Sequence, residues 1–320
     1  MIKPAGIVRP PRRPPGWTAP GPPPLGARGR PELLPEADED LCFLSGDWRI
    51  FQKVRGHRWS LDDLVTAWIA CEAATRAELT RGEAPLRALD LGCGLGSVLL
   101  MVAWRFPDAT VVGVEAQAER ARLARRSIAY NGAQERCRVV DGDLRELLGP
   151  GDAGAPGALG PGALGPGADR DLGARAARFS LITGTPPYFP RGEGTESRTP
   201  GVAPCRFELR GGVEEYLAAG RARLAAGGLL VVCAAALERA RVAHAIAELG
   251  LRWREHWEIV PRAGKPSLVT VDVVTLPGGD VAPARRDRRL VVRDARGAWT
   301  PAFRATRAAM GLPPETPRGE

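Results

Sequence analysis

"LDLGCGLGS", Leu89 to Ser97, stands between an apolar run and a second apolar run of helical character, and its reading decides the fold. Gly92, Gly94 and Gly96 let the backbone turn tightly and let a ligand approach it closely, as at a strand-to-helix junction of a doubly wound sheet. A dinucleotide loop spaces its glycines G-x-G-x-x-G, and here the third comes one position early. An acid, Asp90, sits within the end of the strand itself. A pyrophosphate gains nothing from a carboxylate at that place, whereas a cationic ligand does.

Outward from this loop the pattern alternates. "LRALDLG" (Leu86 to Gly92), "ATVVGVEA" (Ala109 to Ala116) and "CRVVDGD" read as buried strands, with an apolar helix through Val98 to Trp104 and an Arg/Ala-rich one from Gln117 to Tyr130, stopped by Asn131-Gly132. Then come "FSLITG", a helix near Val213 to Leu224, "GLLVVCAAA", a helix from Glu238 to Leu249, and strands around Trp253 to Val260 and Val269 to Leu276. Strands alternating with helices, and apolar almost throughout, predict an α/β chain with a Rossmann-like, doubly wound, mostly parallel seven-stranded sheet. The last two strands, with little between them, predict an antiparallel hairpin at one edge.

The flanks differ in composition. Residues 1–40 are rich in Pro, Arg and Gly ("PPRRPPGWTAPGPPPLGARGR") and carry no helix or strand period, which predicts a disordered tail. "PGALGPGALGPGAD", Pro156 to Asp169, repeats a five-residue unit and predicts a flexible insertion, 149–177, within a domain spanning 41–276. Residues 277–320 form a C-terminal extension. The 320 residues carry a formal net charge of +8, almost all from arginine, since Lys3, Lys53 and Lys265 are the lysines. Such a charge permits a polyanionic partner, but arginine abounds here alongside alanine, glycine and proline, so charge alone identifies none. The six scattered cysteines contain no Cys-x-x-Cys pair, which argues against a zinc site and a disulfide scaffold. No signal peptide or membrane-length apolar run is legible, and a soluble cytoplasmic protein without metal is expected.

Two further acids fall at strand ends after the glycine loop. Glu115 ends the second strand, where a carboxylate can accept both hydroxyl hydrogens of a ribose. Asp143, in "DGDL", closes the third, where it can meet an adenine amino group. Singly, each reads as a helix cap or a solvated strand end. Together with Asp90 and the glycines they resemble the S-adenosyl-L-methionine (AdoMet) loop of class I methyltransferases, whose ligand carries an ammonium and a sulfonium. That resemblance implies the class I methyltransferase fold and AdoMet as cofactor.

"LITGTPPYFP", Leu181 to Pro190, follows the fourth strand, so Thr185, Pro186, Pro187 and Tyr188 belong at its carboxyl end, beside the ligand crevice. The prolines fix the backbone and remove two donors, leaving carbonyls free to accept. Tyr188 offers a flat face on which a base or amide can stack. Hydrogen bonds from an exocyclic amino group to the Pro186 carbonyl and to the side chain at 185 would localise its lone pair for attack on a methyl donor. A base inside a helix cannot reach such a site, so the substrate must be unpaired or flipped. A rigid turn with Tyr188 capping the core is the alternative.

This loop resembles the Asn-Pro-Pro-Tyr motif of amino-group methyltransferases. "GHRWSLDDLVTAWIA" (Gly56 to Ala70), "CRFELRGGVEEYL" and "VPRAGKPSLVTVDVV" resemble segments of bacterial tRNA adenine-N6 methyltransferases acting on the anticodon loop of a valine tRNA. The resemblance runs from about Cys42 to Leu276. It implies that Asp62 begins a helix packed beside the cofactor, that Arg206 and Glu208 order the substrate loop where otherwise they could pair with each other, and that the partner is RNA, tRNA foremost. Thr185 stands where the family has Asn. Its hydroxyl can accept one hydrogen bond, as serine does in the Ser-Pro-Pro-Tyr loops of cytosine-N4 methyltransferases, without the reach of a carboxamide. A cytosine amino group, a protein glutamine amide or a small molecule therefore stand as other acceptors, and a non-catalytic AdoMet- or RNA-binding protein as the other class.

Overall fold

The structure, a computed structural model, describes residues 6–11, 13–56, 58–81, 85–147, 177–188, 211–278 and 284–315. Three short strands come first: β1 (Ile7–Val8), β2 (Glu39–Phe43) and β3 (Arg49–Lys53). Then follow α1 (Leu61–Arg76), β4 (Arg87–Leu91), α2 (Ser97–Arg105), β5 (Thr110–Glu115), α3 (Ala118–Asn131), β6 (Cys137–Asp141) and β7 (Phe179–Gly184). The chain continues with α4 (Val213–Arg223), β8 (Leu224–Ala235), α5 (Arg239–Glu248), β9 (Arg252–Arg262), β10 (Val269–Thr275), β11 (Arg286–Arg293) and α6 (Pro301–Ala309).

Among the described residues the main sheet has eight strands in the order β11-β9-β10-β8-β7-β4-β5-β6. β4 pairs in parallel with both β5 and β7, so the winding reverses beside it and opens a crevice at the carboxyl ends of those strands. Strand alternation sorts the core into two layers. Ala88, Val111, Leu181, Val231 and Val271 pack into one cluster with α1, α2 and α3, and Leu89, Val112, Ile182 and Leu230 into the other with α4 and α5. On β4 this leaves Asp90 between Leu89 and Leu91, facing the α1 and α2 side. α1 starts at Ser60 with a capping box, the Ser60 backbone N–H donating to Asp63 at 2.7 Å. Gly132, at φ +74°, ends α3 as the Asn-Gly signal predicts.

Two expectations are corrected. The β9–β10 hairpin is not the edge of the sheet, because β11 pairs in parallel with β9 and adds an eighth strand from the C-terminal extension. "RDRRLVVR" hides this strand, since Leu290 and Val292 are its buried apolar residues while the same face begins with Arg286 and Arg288, the latter stacked on Trp257. Residues 6–11 and 13–40, expected within a disordered tail, hold defined positions. β1 pairs in parallel with β2, Leu33 is buried, and Arg126 donates to the carbonyls of Glu32 and Leu34 at 2.7 Å each. The segment has no period because its carbonyls are met by arginine side chains and isolated backbone donors rather than by a ladder. The insertion expected at 149–177 lies, apart from Ala177, outside the described residues. No helix among the described residues is long and apolar enough to cross a membrane.

Candidate active site

The three loop glycines all take left-handed backbone conformations, φ +57°, +56° and +80°. Gly92 is further constrained, because a Cβ there would lie 2.1 Å from the hydroxyl of Tyr216 on α4. The loop thus presents bare backbone between β4 and α2, and this flat approach is what a nucleoside ligand requires.

An open cleft of about 960 Å³ lies above it. Gly92, Gly94, Glu115, Asp143, Asp62, Thr185, Pro186, Pro187 and Tyr188 line this one cleft, from elements spread over more than a hundred residues of sequence. Gly96 stands just behind, as the N-cap of α2. Arg206 and Glu208 lie outside the described residues. Asp90 does not line the cleft. It is buried beneath the loop, accepting from the Thr183 hydroxyl at 2.7 Å and the Leu99 N–H at 3.2 Å, so its geometry fastens α2 and β7 together under the ligand site.

The acids around the cleft differ in their partners. Glu115 accepts the Gly94 N–H at 2.9 Å and the Gln117 N–H at 2.7 Å, one bond per oxygen, leaving a lone pair on each for a ribose diol. Asp143 is gripped by Arg145, at 2.8 and 2.6 Å, so an adenine amino group would share that carboxylate with a guanidinium. Asp62 accepts the Tyr188 hydroxyl at 2.7 Å. That hydroxyl also lies 3.4 Å from the Cys233 thiol, and burial holds the phenol far above its ordinary titration range. Tyr188 is therefore anchored at its tip, and the residue both lines the cleft and packs against the core cluster on the α1 side.

Sequence reasoning missed Asp63, Ser97 and Tyr216. Asp63 lines the cleft beside Asp62 and accepts the Ser97 hydroxyl at 2.7 Å. Burial pushes its carboxyl up to about 6, and burial pushes that of Asp90 up to about 7. The capping-box spacing of Ser60 and Asp63 marks Asp63 as a helix cap, but nothing local shows its long-range bond to Ser97. A ligand bearing fixed positive charge fits this floor of buried carboxyls, because a cation favours their ionised form.

The glycine loop at the winding reversal, with carboxyls at neighbouring strand ends, is the arrangement of the class I methyltransferase fold. Residues 88–154 match the family described as a methyltransferase domain. A predicted O-methyltransferase from Agrobacterium tumefaciens shares the fold at a TM-score of 0.51 and 20% identity, over 79% of this chain and 98% of that one. More particularly, the chain resembles tRNA1(Val) (adenine(37)-N6)-methyltransferase of Porphyromonas gingivalis, with 30% identity over 39% of this chain and 38% of that protein. It is also similar to release factor glutamine methyltransferase of Chlorobaculum tepidum, 29% identical over 43% of this chain and 42% of that one. The matched region spans about two fifths of the length of each relative.

Proposed function

We propose that this protein methylates the N6 amino group of an adenine in an unpaired segment of tRNA, in the cytoplasm. The observation that carries the reading is the shared cleft, in which the Thr185-Pro186-Pro187-Tyr188 loop faces the same space as Gly92, Gly94 and Glu115. The similarity to tRNA1(Val) adenine-N6 methyltransferases supports the choice of acceptor.

When bound, S-adenosyl-L-methionine supplies an electrophilic methyl group. Glu115 holds the ribose, Asp143 the adenine edge, and Asp62 and Asp63 face the cationic end. The Pro186 carbonyl and the Thr185 hydroxyl accept the acceptor's amino hydrogens, which concentrates its lone pair toward the donor. The Tyr188 ring supports the base. A base of pKa matched to the reaction is not needed, because the proton departs after transfer. The loop would serve an amide nitrogen by the same geometry, and the similarity to a release factor glutamine methyltransferase makes protein glutamine the second acceptor to test.

The experiment supplies purified protein and labelled S-adenosyl-L-methionine to separate pools of unmodified tRNA, ribosomal RNA and protein, with labelled products identified by mass spectrometry. N6-methyladenosine in tRNA is the expected product. Label on cytosine, on glutamine or in another RNA moves the acceptor, and no transfer to any pool overturns the catalytic reading.

A further inference from the structure

At the end of the sheet opposite the methyl-transfer cleft, a second cavity of about 440 Å³ opens between the last turns of α1 and strands β9, β10 and β11. A bulge builds it. Val273 pairs with Glu255 and Val274 with Trp253, so Arg254 is the extra residue of β9. Adjacent residues Arg254 and Glu255 consequently both line the cavity, where a regular strand would send them to opposite faces. Arg286, the first residue of β11, is in register with Glu255 and lines it as well, with Arg76 from α1.

The charges here do not balance. Glu255 is buried and already committed. Its Oε1 accepts Arg76 Nη2 at 2.9 Å, its Oε2 accepts Trp257 Nε1 at 2.8 Å, and Arg288 Nε stands 3.3 Å from Oε2. Glu72 adds an ion pair to Arg76 at 3.6 Å. Arg254, half-buried, and Arg286 have no carboxylate in ion-pair reach among the described residues. Two guanidinium groups in excess, against an apolar wall that includes Leu229 and Val273, leave positive charge at a concave and partly dry place.

We propose that this cavity is a binding site for a phosphate-type oxyanion, held by Arg254 and Arg286, while Arg76 stays on Glu255 and Glu72 and neutralises them. Guanidinium forks match phosphate oxygens in pairs. The same chemistry is offered by a backbone phosphodiester of RNA and by a free phosphate compound.

Inorganic phosphate and pyrophosphate, titrated calorimetrically into the full chain in chloride buffer, test the site without any assumption about the methyl acceptor. Wild type should bind, and the Arg254→Ala, Arg286→Ala double variant should bind roughly tenfold or more weakly, with unchanged affinity for S-adenosyl-L-methionine as the check on folding. Arg254→Lys, which keeps the charge but not the fork, should fall between the two. A second arm measures the salt dependence of single-stranded RNA binding. A slope reduced by about two in the double variant assigns the site to the RNA backbone, and an unchanged slope assigns it to a free phosphate compound. Failure of wild type to bind either phosphate probe, or equal binding by the double variant, overturns the proposal.

Discussion

Asp63 and Asp90 show how single residues set the conditions for the ligand. Burial raises both carboxyls, to about 6 and about 7, above the ordinary value near 4. The folded chain therefore keeps protons that the unfolded chain has released. The stability these groups contribute is full below the ordinary value and is lost as the pH rises through about 6 and about 7. A cationic ligand works in the opposite direction, since it favours the ionised forms. Affinity for S-adenosyl-L-methionine should thus rise between about pH 5 and 7, a range in which most of the ligand's own ammonium keeps its proton, by an amount on the order of tenfold. Calorimetry across that range checks it. Asp63→Asn should flatten the profile, and a flat profile in wild type would show that Asp63 does not face the charged end of the ligand. The glycines were legible in the sequence because a motif spaces them within one strand-loop-helix unit, and Glu115 because it closes the apolar strand that follows. Asp63 was not, because its bond to Ser97 and its burial come from α1 packing on α2, which no local spacing records.

At the scale of elements, the first turn of α1 acts as a bracket between the two halves of the cleft. Asp63 ties it to Ser97, the first residue of the helix behind the glycine loop, while Asp62 ties it to Tyr188 in the acceptor loop. Adjacent residues of one helical turn can reach both loops because β4 and β7 are neighbours at the winding reversal. Tyr188→Phe keeps the ring and removes the bond to Asp62, which as a hydrogen bond to a charged group contributes about 1.5–3 kcal/mol. Its kcat should fall roughly tenfold while affinity for S-adenosyl-L-methionine stays within about twofold, since the anchor serves the acceptor loop. Asp62→Asn, measured alone and with Tyr188→Phe, should show the two changes to be non-additive. Wild-type kcat in Tyr188→Phe would mean that the hydroxyl anchor has no part in catalysis. The fold at this scale was largely legible, because the strands of the parallel half are mainly apolar and alternate with helical segments. β11 was not, since a strand with one buried face and an arginine-rich outer one reads as a polar segment.

For the molecule as a whole, the N-terminal segment is where composition and structure part. Pro, Gly and Arg in succession signal disorder when they solvate the chain, but here they follow the surface of α2 and α3 closely. A Cβ at Gly21 would lie 2.6 Å from the Trp104 indole nitrogen, and the Gly26 N–H donates to the Tyr130 carbonyl at 2.9 Å. Arg126, itself buried, depends on this segment for two carbonyl acceptors and keeps Glu39 as its carboxylate partner. Deleting residues 1–38 would strip those carbonyls from a buried guanidinium and expose the pocket of Leu33. Burial of one leucine contributes about 1.5–3 kcal/mol and each bond to a charged donor a similar amount. At roughly 2–4 °C of melting temperature per kcal/mol for a domain of this size, the truncated protein should melt on the order of 10 °C lower. Differential scanning calorimetry of full-length and truncated protein measures it. Arg126→Met in the full-length chain separates the causes, because it removes the guanidinium, whose carbon lies 4.2 Å from the Phe51 ring centre, and with it the charge that needs those carbonyls, while leaving an unbranched apolar side chain in its place. If truncation leaves the melting temperature unchanged, the segment contributes nothing to stability, and the contacts along α3 are incidental to the fold.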